Sequence, residues 1–217
     1  MKKYEYILFD LDGTIIDSGL GVTNSVKYSL KKFGIDETDF LKLKKFVGPP
    51  LYDSYEKYYG FSREKAITAV EYYREYYTDK GIFELKVYEG ILEQLKLLKE
   101  SGKKLILATS KPEIFAEKIA EKFDFLKYFY NISGSLLDGS RVRKADIISY
   151  ALTRIGVSDK EKCLMVGDTV FDILGAREIG IDSLGVTWGY GEVKEIESAF
   201  PTYIINRPNE IKDILSI

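Results

Sequence analysis

From residue 88 to the end of the chain, short unbroken apolar runs alternate with stretches in which apolar residues recur every three or four positions. Ile91, Leu95 and Leu98, joined by Leu92, share one helical face that stops at Ser101-Gly102. Leu105-Ile106-Leu107-Ala108 then reads as a buried strand ending at Thr109-Ser110. Pro112 suits the first turn of the helix that follows. A weaker strand is predicted around 129–132, then a Gly/Ser loop, a helix over about 145–155 stopped by Gly156, and a strand at 163–166. A helix from near Val170 and strands at 182–186 and 203–205 complete the series. With an opening strand over 4–10 there are about six strands, and this alternation builds a parallel sheet. The expected fold class is therefore α/β: a Rossmann-like parallel sheet flanked by helices.

Residues 17–86 follow a different rhythm, helical throughout and without a convincing strand. Eight tyrosines fall between 52 and 77. Tyr52, Tyr55 and Tyr59 are spaced i, i+3, i+7, as are Val70, Tyr73 and Tyr77, which is the spacing of a bundle core and its rim. The domain organisation expected is an α/β core made of 1–16 and 87–217, interrupted by a helical subdomain at 17–86.

The polar residues that close the strands carry the chemistry. Ile7-Leu8-Phe9 runs directly into Asp10-Leu11-Asp12-Gly13-Thr14. Residues i and i+2 of a strand project to one side, so Asp10 and Asp12 begin on one face, and Gly13 lets the chain turn away. In open parallel sheets ligands bind beyond the carboxyl ends of the strands. Asp10 and Asp12, Thr109 and Ser110, the basic cluster Arg141, Arg143 and Lys144, and Gly167-Asp168 all fall at that edge. Each has a plain explanation alone, as a turn, a helix cap or a solvated charge, and it is their joint arrival that points to a site.

Composition narrows the chemistry. The chain has 217 residues, 45% hydrophobic and 30% charged, with a formal net charge of -2. No basic block points to a nucleic acid polymer. The opening MKKYEYILFDLDG has a basic pair but only three apolar residues before an acid, too short for a signal-peptide core. Nothing approaches a membrane span, and the cytoplasm is the expected location. Cys163 sits in the apolar run Cys163-Leu164-Met165-Val166 and reads as a packing thiol. Histidine is absent, which excludes His-based triads and His-ligated zinc and leaves carboxylates, hydroxyls and lysine for catalysis.

These residues resemble the haloacid dehalogenase-like phosphohydrolases, whose pattern is Asp-x-Asp-Gly-Thr, then Thr or Ser, then Lys, then Gly-Asp-x-x-x-Asp. All four motifs are present in order, and the helical insertion is similar to that family's small cap. Phe46-Val47-Gly48-Pro49-Pro50-Leu51, Ala108-Thr109-Ser110-Lys111-Pro112 and Asp138-Gly139-Ser140 resemble the subgroup of 5'-nucleotidase-like proteins, which neighbours the phosphoglycolate phosphatases. Ala145 follows Lys144 where many relatives have proline, which leaves Arg143 as an alternative to Lys144.

The resemblance implies a Mg²⁺-dependent phosphomonoester hydrolase that acts on a small phosphorylated metabolite such as a 5'-nucleotide. Asp10 would attack phosphorus to give an aspartyl-phosphate. Asp12, held protonated by burial under a closed cap, would donate to the leaving oxygen and later take a proton from water. Asp10, Asp168, Asp12 through its backbone carbonyl, and Asp172 directly or through water would hold the metal. Thr109, Ser110 and Lys144 would bind phosphate oxygens. A carboxylate approaching a phosphate dianion meets a cost of about 4 kcal/mol per unit pair at roughly 4 Å and an effective dielectric near 20, which cations must cancel. In the helical subdomain Lys45, Gly48, Pro49 and Arg74 are the candidate substrate contacts. No membrane partner is expected, and the chain is a monomer or homodimer. The alternatives are a phosphoglycolate phosphatase, a phosphomutase of the same superfamily and, from another class, a receiver-like phospho-Asp switch domain. The Asp-x-Asp spacing and the insertion of about 70 residues count against the last.

Overall fold

The computed structural model describes residues 4–217. It divides into two compact units: the residues through Ile16 together with Val87–Ile217, and Asp17–Lys86. The first is built on six strands: β1 (Tyr6–Phe9), β2 (Lys104–Pro112), β3 (Phe129–Ser135), β4 (Cys163–Gly167), β5 (Asp182–Val186) and β6 (Tyr203–Ile205). All neighbours are parallel, in the order β3-β2-β1-β4-β5-β6. The first strand of the chain thus lies in the middle of the sheet. The strand order reverses beside it, which is where doubly wound sheets open a crevice.

The apolar runs follow from burial on both faces. Leu8 pairs with Ile106 on one side and Met165 on the other. These three join Cys163, Ala108 and residues of the helices Lys144–Arg154 and Val170–Ile179 in one core cluster. Ile7 and Phe9, one position away, project to the opposite face and are also buried. Cys163 is a buried free thiol, and burial pushes its pKa up to about 11, the environment of a packing residue.

Three local expectations change. β2 continues past Thr109 to Pro112, which caps the helix Glu113–Lys122 from an extended conformation (φ -53°, ψ 130°) and does not lie in its first turn. β3 runs on to Ser135, through Ser133-Gly134-Ser135, whose composition reads as loop but whose backbone pairs with β2. The segments Ile16–Asp17 and Lys86–Val87 pair as a two-stranded ribbon too short to leave a periodic signal.

The second unit contains the helices Gly19–Lys32, Phe40–Lys44, Leu51–Tyr59 and Arg63–Asp79. Tyr55, Tyr73 and Tyr77 are buried. Tyr55 stacks on Phe61 with ring centroids 5.8 Å apart and meets Phe46 edge-on at 4.9 Å. The hydroxyls of Tyr59 and Tyr76 donate to the carboxylates of Glu37 and Glu84 at 3.0 and 2.9 Å. These rings are therefore engaged in the unit's own packing, while Tyr52 and Tyr59 lie at its half-buried rim. Among the described residues no helix is long and apolar enough to cross a membrane.

Candidate active site

The site forms where β1, β2 and β4 end. Asp10 stays on the sheet ladder, its N–H donating to Val166 O at 2.9 Å, and only 8% of the residue is exposed. The chain then folds back tightly, with the N–H groups of Ile15 and Ile16 both donating to Leu11 O. Gly13 makes this turn with φ +84°, and a Cβ there would lie 2.0 Å from Asp168 Oδ2. The residue must be glycine on both counts.

Asp168 follows β4 and is fully buried. Its Oδ1 accepts from Thr14 Oγ1 at 3.1 Å and its Oδ2 from the Tyr190 backbone N–H at 2.8 Å. Asp172 sits one turn into the next helix. Its Oδ2 accepts from the N–H and the hydroxyl of Thr169 at 3.0 and 2.7 Å, capping that helix. Its Oδ1 points to Lys144. Carboxylate oxygens of Asp10, Asp168 and Asp172 lie within 4.8 Å of one another.

A buried ammonium serves this group. Lys144 Nζ is 2.9 Å from Asp10 Oδ1 and 2.8 Å from Asp172 Oδ1, and donates to Ala108 O at 3.2 Å. Lys144, not Arg143, reaches the carboxylates. The Arg143 guanidinium is exposed and pairs with Glu178 at 2.9 and 2.7 Å. Arg141 also turns away, stacking 3.7 Å over the Tyr150 ring and bonding to Gly134 O and Glu113. Of the basic cluster, only one member enters the site.

Three buried carboxylates against one ammonium leave excess negative charge. Burial pushes Asp10 up to about 6, against the pull of Lys144 and with the further push of Asp172. Burial pushes Asp168 up to about 8, helped by Asp172 and Asp10 and opposed by its Tyr190 and Thr14 hydrogen bonds. Burial alone would lower Lys144, but Asp10 and Asp172 outweigh it and hold the ammonium above its ordinary value. The donor set suits a hard divalent cation: oxygens only, with no histidine in the chain and the one cysteine in the core. Asp10 Oδ1 and Asp172 Oδ1 are buried without a hydrogen bond, since Lys144 meets them closely but outside hydrogen-bond angles. A cation among the three carboxylates would satisfy both oxygens.

Thr109 is buried at the end of β2, its Oγ1 accepting from the Lys111 N–H at 3.2 Å. Ser110 is half-buried beside it, and its carbonyl accepts from Ser135 Oγ at 2.7 Å. Asp12 is half-buried and not sealed, and both of its oxygens accept from Lys111 Nζ, at 3.0 and 2.9 Å. Lys111 and Thr14 stand inside the sequence motifs, yet residue type alone gives neither a place in the site. Trp188 and Tyr190 fall outside every motif. The Trp188 indole N–H donates to Thr14 O at 3.1 Å, so the segment after β5 braces the first loop and Asp168 together. Lys45, Gly48, Pro49 and Arg74 belong to the helical unit, with Lys45 and Gly48 exposed and Pro49 and Arg74 half-buried.

A doubly wound parallel sheet with clustered aspartates and a buried lysine at its carboxyl edge defines a class of α/β enzyme that handles anionic substrates. The model of the haloacid dehalogenase-like hydrolases matches residues 7–186, and the chain belongs to that family. It is 43% identical over 201 residues to a 5'-nucleotidase of Pseudomonas aeruginosa, covering 93% of this chain and 90% of that one. It is 33% identical over 216 residues to the tyrosine-protein kinase PtkA of Mycobacterium tuberculosis, covering 98% of this chain and 73% of that one. Among solved structures, a predicted phosphatase from Clostridium acetobutylicum superimposes with a TM-score of 0.93 at 46% identity, covering 99% and 100% of the two chains. Family membership sets the receiver-like reading aside.

Proposed function

We propose that the protein is a Mg²⁺-dependent phosphomonoester hydrolase that works through an aspartyl-phosphate on Asp10 and acts on small phosphorylated metabolites, 5'-nucleotides foremost. The observation that carries this is the buried cluster of Asp10, Asp168 and Asp172 with Lys144 between two of them. The 5'-nucleotidase relative supports the substrate class. Asp10, Asp168 and Asp172 would hold the metal, with the backbone carbonyl of Asp12 as a further oxygen. When bound, Mg²⁺ would supply positive charge against the phosphate oxygens and the nucleophile.

Asp10 attacks phosphorus, and the bond from phosphorus to the ester oxygen breaks as Asp12 gives that oxygen a proton. Water then attacks the phosphorylated Asp10, losing a proton to Asp12, and the bond from phosphorus to the Asp10 oxygen breaks to release phosphate. Lys144 holds Asp10 in place and offsets the like charges that meet there. The Thr109 hydroxyl and the backbone N–H groups beside it hold phosphate oxygens, with Ser110 next to them. Asp12 regains in the second step the proton it gives up in the first.

The test is phosphate release with Mg²⁺ and with chelator across an aryl phosphate, 5'-nucleoside monophosphates, phosphoglycolate and sugar phosphates. Asp10→Asn is expected to abolish release, a loss of at least about 10⁴-fold for a covalent nucleophile. Near wild-type turnover in that variant would overturn the assignment. Phosphoglycolate as the best substrate would move the reading to a phosphoglycolate phosphatase. Interconversion of sugar phosphates without net release would make it a phosphomutase.

A further inference from the structure

A second lysine at the site remains outside the mechanism above. The Lys111 ammonium contacts both oxygens of Asp12, and the two side chains are only 7% and 14% exposed. We propose that Lys111 is a positioning residue for Asp12, holding its carboxylate in the orientation from which it meets the leaving oxygen and the attacking water. This rests on the role given to Asp12 above and divides the work between two lysines. Lys144 serves Asp10 and Asp172, whereas Lys111 serves Asp12.

The backbone is shaped to deliver this side chain. Up to Thr109, opposite Gly134, β2 and β3 pair residue for residue from Ile106 onward, and the next matched pair is Pro112 with Ser135. Ser110 and Lys111 therefore have no partner positions on β3 and form a bulge, which bends a strand and re-aims its side chains. The bulge is held by the Lys111 N–H on Thr109 Oγ1 and by Ser135 Oγ on the Ser110 carbonyl. Gly134 completes it, since a Cβ there would lie 2.5 Å from Lys111 O and 2.7 Å from Glu113 Cα.

Stability does not account for the arrangement. A shielded ion pair is often neutral relative to apolar residues of the same volume, because desolvation offsets the attraction. A two-oxygen contact does fix a short side chain that otherwise rotates freely about its χ angles. Misplacement of a reacting group by about 1 Å can cost on the order of 100-fold in rate.

The experiment is a double-mutant cycle on the Mg²⁺-loaded enzyme, using wild type, Lys111→Met, Asp12→Ala and the double variant. An aryl phosphate and an alkyl phosphate serve as substrates, with single-turnover release of the leaving group as the readout. Lys111→Met is expected to lower the rate on the alkyl ester about 10- to 100-fold with KM within about twofold. The loss should be smaller on the aryl ester, whose leaving group needs no proton, and Lys111→Arg should recover most of it. In the Asp12→Ala background the Lys111 substitution should change nothing beyond about twofold. Equal losses in both backgrounds, equal losses on both esters, or a rise in KM with the rate kept would each overturn the inference. Melting curves accompany every variant, and Lys111→Gln replaces Met in the same cycle if the Met variant melts early. Asp10→Asn run in parallel separates the two claims. Turnover retained there removes the functional reading itself, whereas its loss beside an additive cycle removes the Lys111 inference alone.

Discussion

Asp168 is tightly constrained, with one oxygen on a hydroxyl, the other on a backbone N–H, and Gly13 packed against it. Its hydrogen bonds come from neutral donors, and that is why burial and its neighbours raise it to about 8 while Asp10, beside Lys144, rises to about 6. Both lie above the ordinary 3.8, so the folded chain binds these protons more tightly than the unfolded one. Stability present at low pH is then lost as pH rises through the folded values. Metal-free protein in chelator is expected to melt progressively earlier from about pH 4 to about pH 8. Asp168→Asn should flatten the upper half of that decline in scanning fluorimetry. A flat profile in the unsubstituted protein would mean that the carboxylates are compensated by a charge other than Lys144.

At the scale of elements, β1 holds the sheet together through Leu8, flanked by Ile106 and Met165 and buried under two helices. Leu8→Ala is expected to cost about 2–5 kcal/mol in urea unfolding, the range for deleting a core leucine. β1, β4 and β5 were legible because apolar runs bounded by polar turns carry their own signal. The bulge in β2 and the last three residues of β3 were not, since Ser133-Gly134-Ser135 pairs through its backbone and offers no hydrophobic pattern. The same contrast runs through the site. Asp10, Asp168 and Asp172 announce themselves by residue type at the ends of elements. Tyr190 meets Asp168 through its backbone N–H, which any residue but proline has, so no sequence pattern marks that contact. Thr14 did carry a signal, as the last residue of the Asp-x-Asp-Gly-Thr run. Arg143 and Lys144 differ by one position at a helix start, and only the turn into that helix decides which one faces inward.

For the molecule as a whole, a cation that binds the folded state alone stabilises it by about 2.7 kcal/mol at 100 times its Kd. In a chain of this size that is a rise in Tm of roughly 5–10 °C. Mg²⁺ is expected to produce that rise at neutral pH, and Asp168→Ala to abolish it, as read by calorimetry. No rise would mean that the three carboxylates do not hold the ion tightly. The central place of β1 also governs when a growing chain can act. Asp12 meets Lys111 across 99 residues, Thr14 meets Asp168 across 154, and Trp188 reaches Thr14 across 174. At roughly 5–20 residues per second, the ribosome delivers Lys111 some 5–20 s after Asp12. Until then the first apolar strand emerges with neither neighbour to pair with, an exposed edge of the kind that pairs with other chains. A chain still on the ribosome is therefore expected to stay catalytically silent until Trp188 and Tyr190 have emerged to brace Thr14 and Asp168.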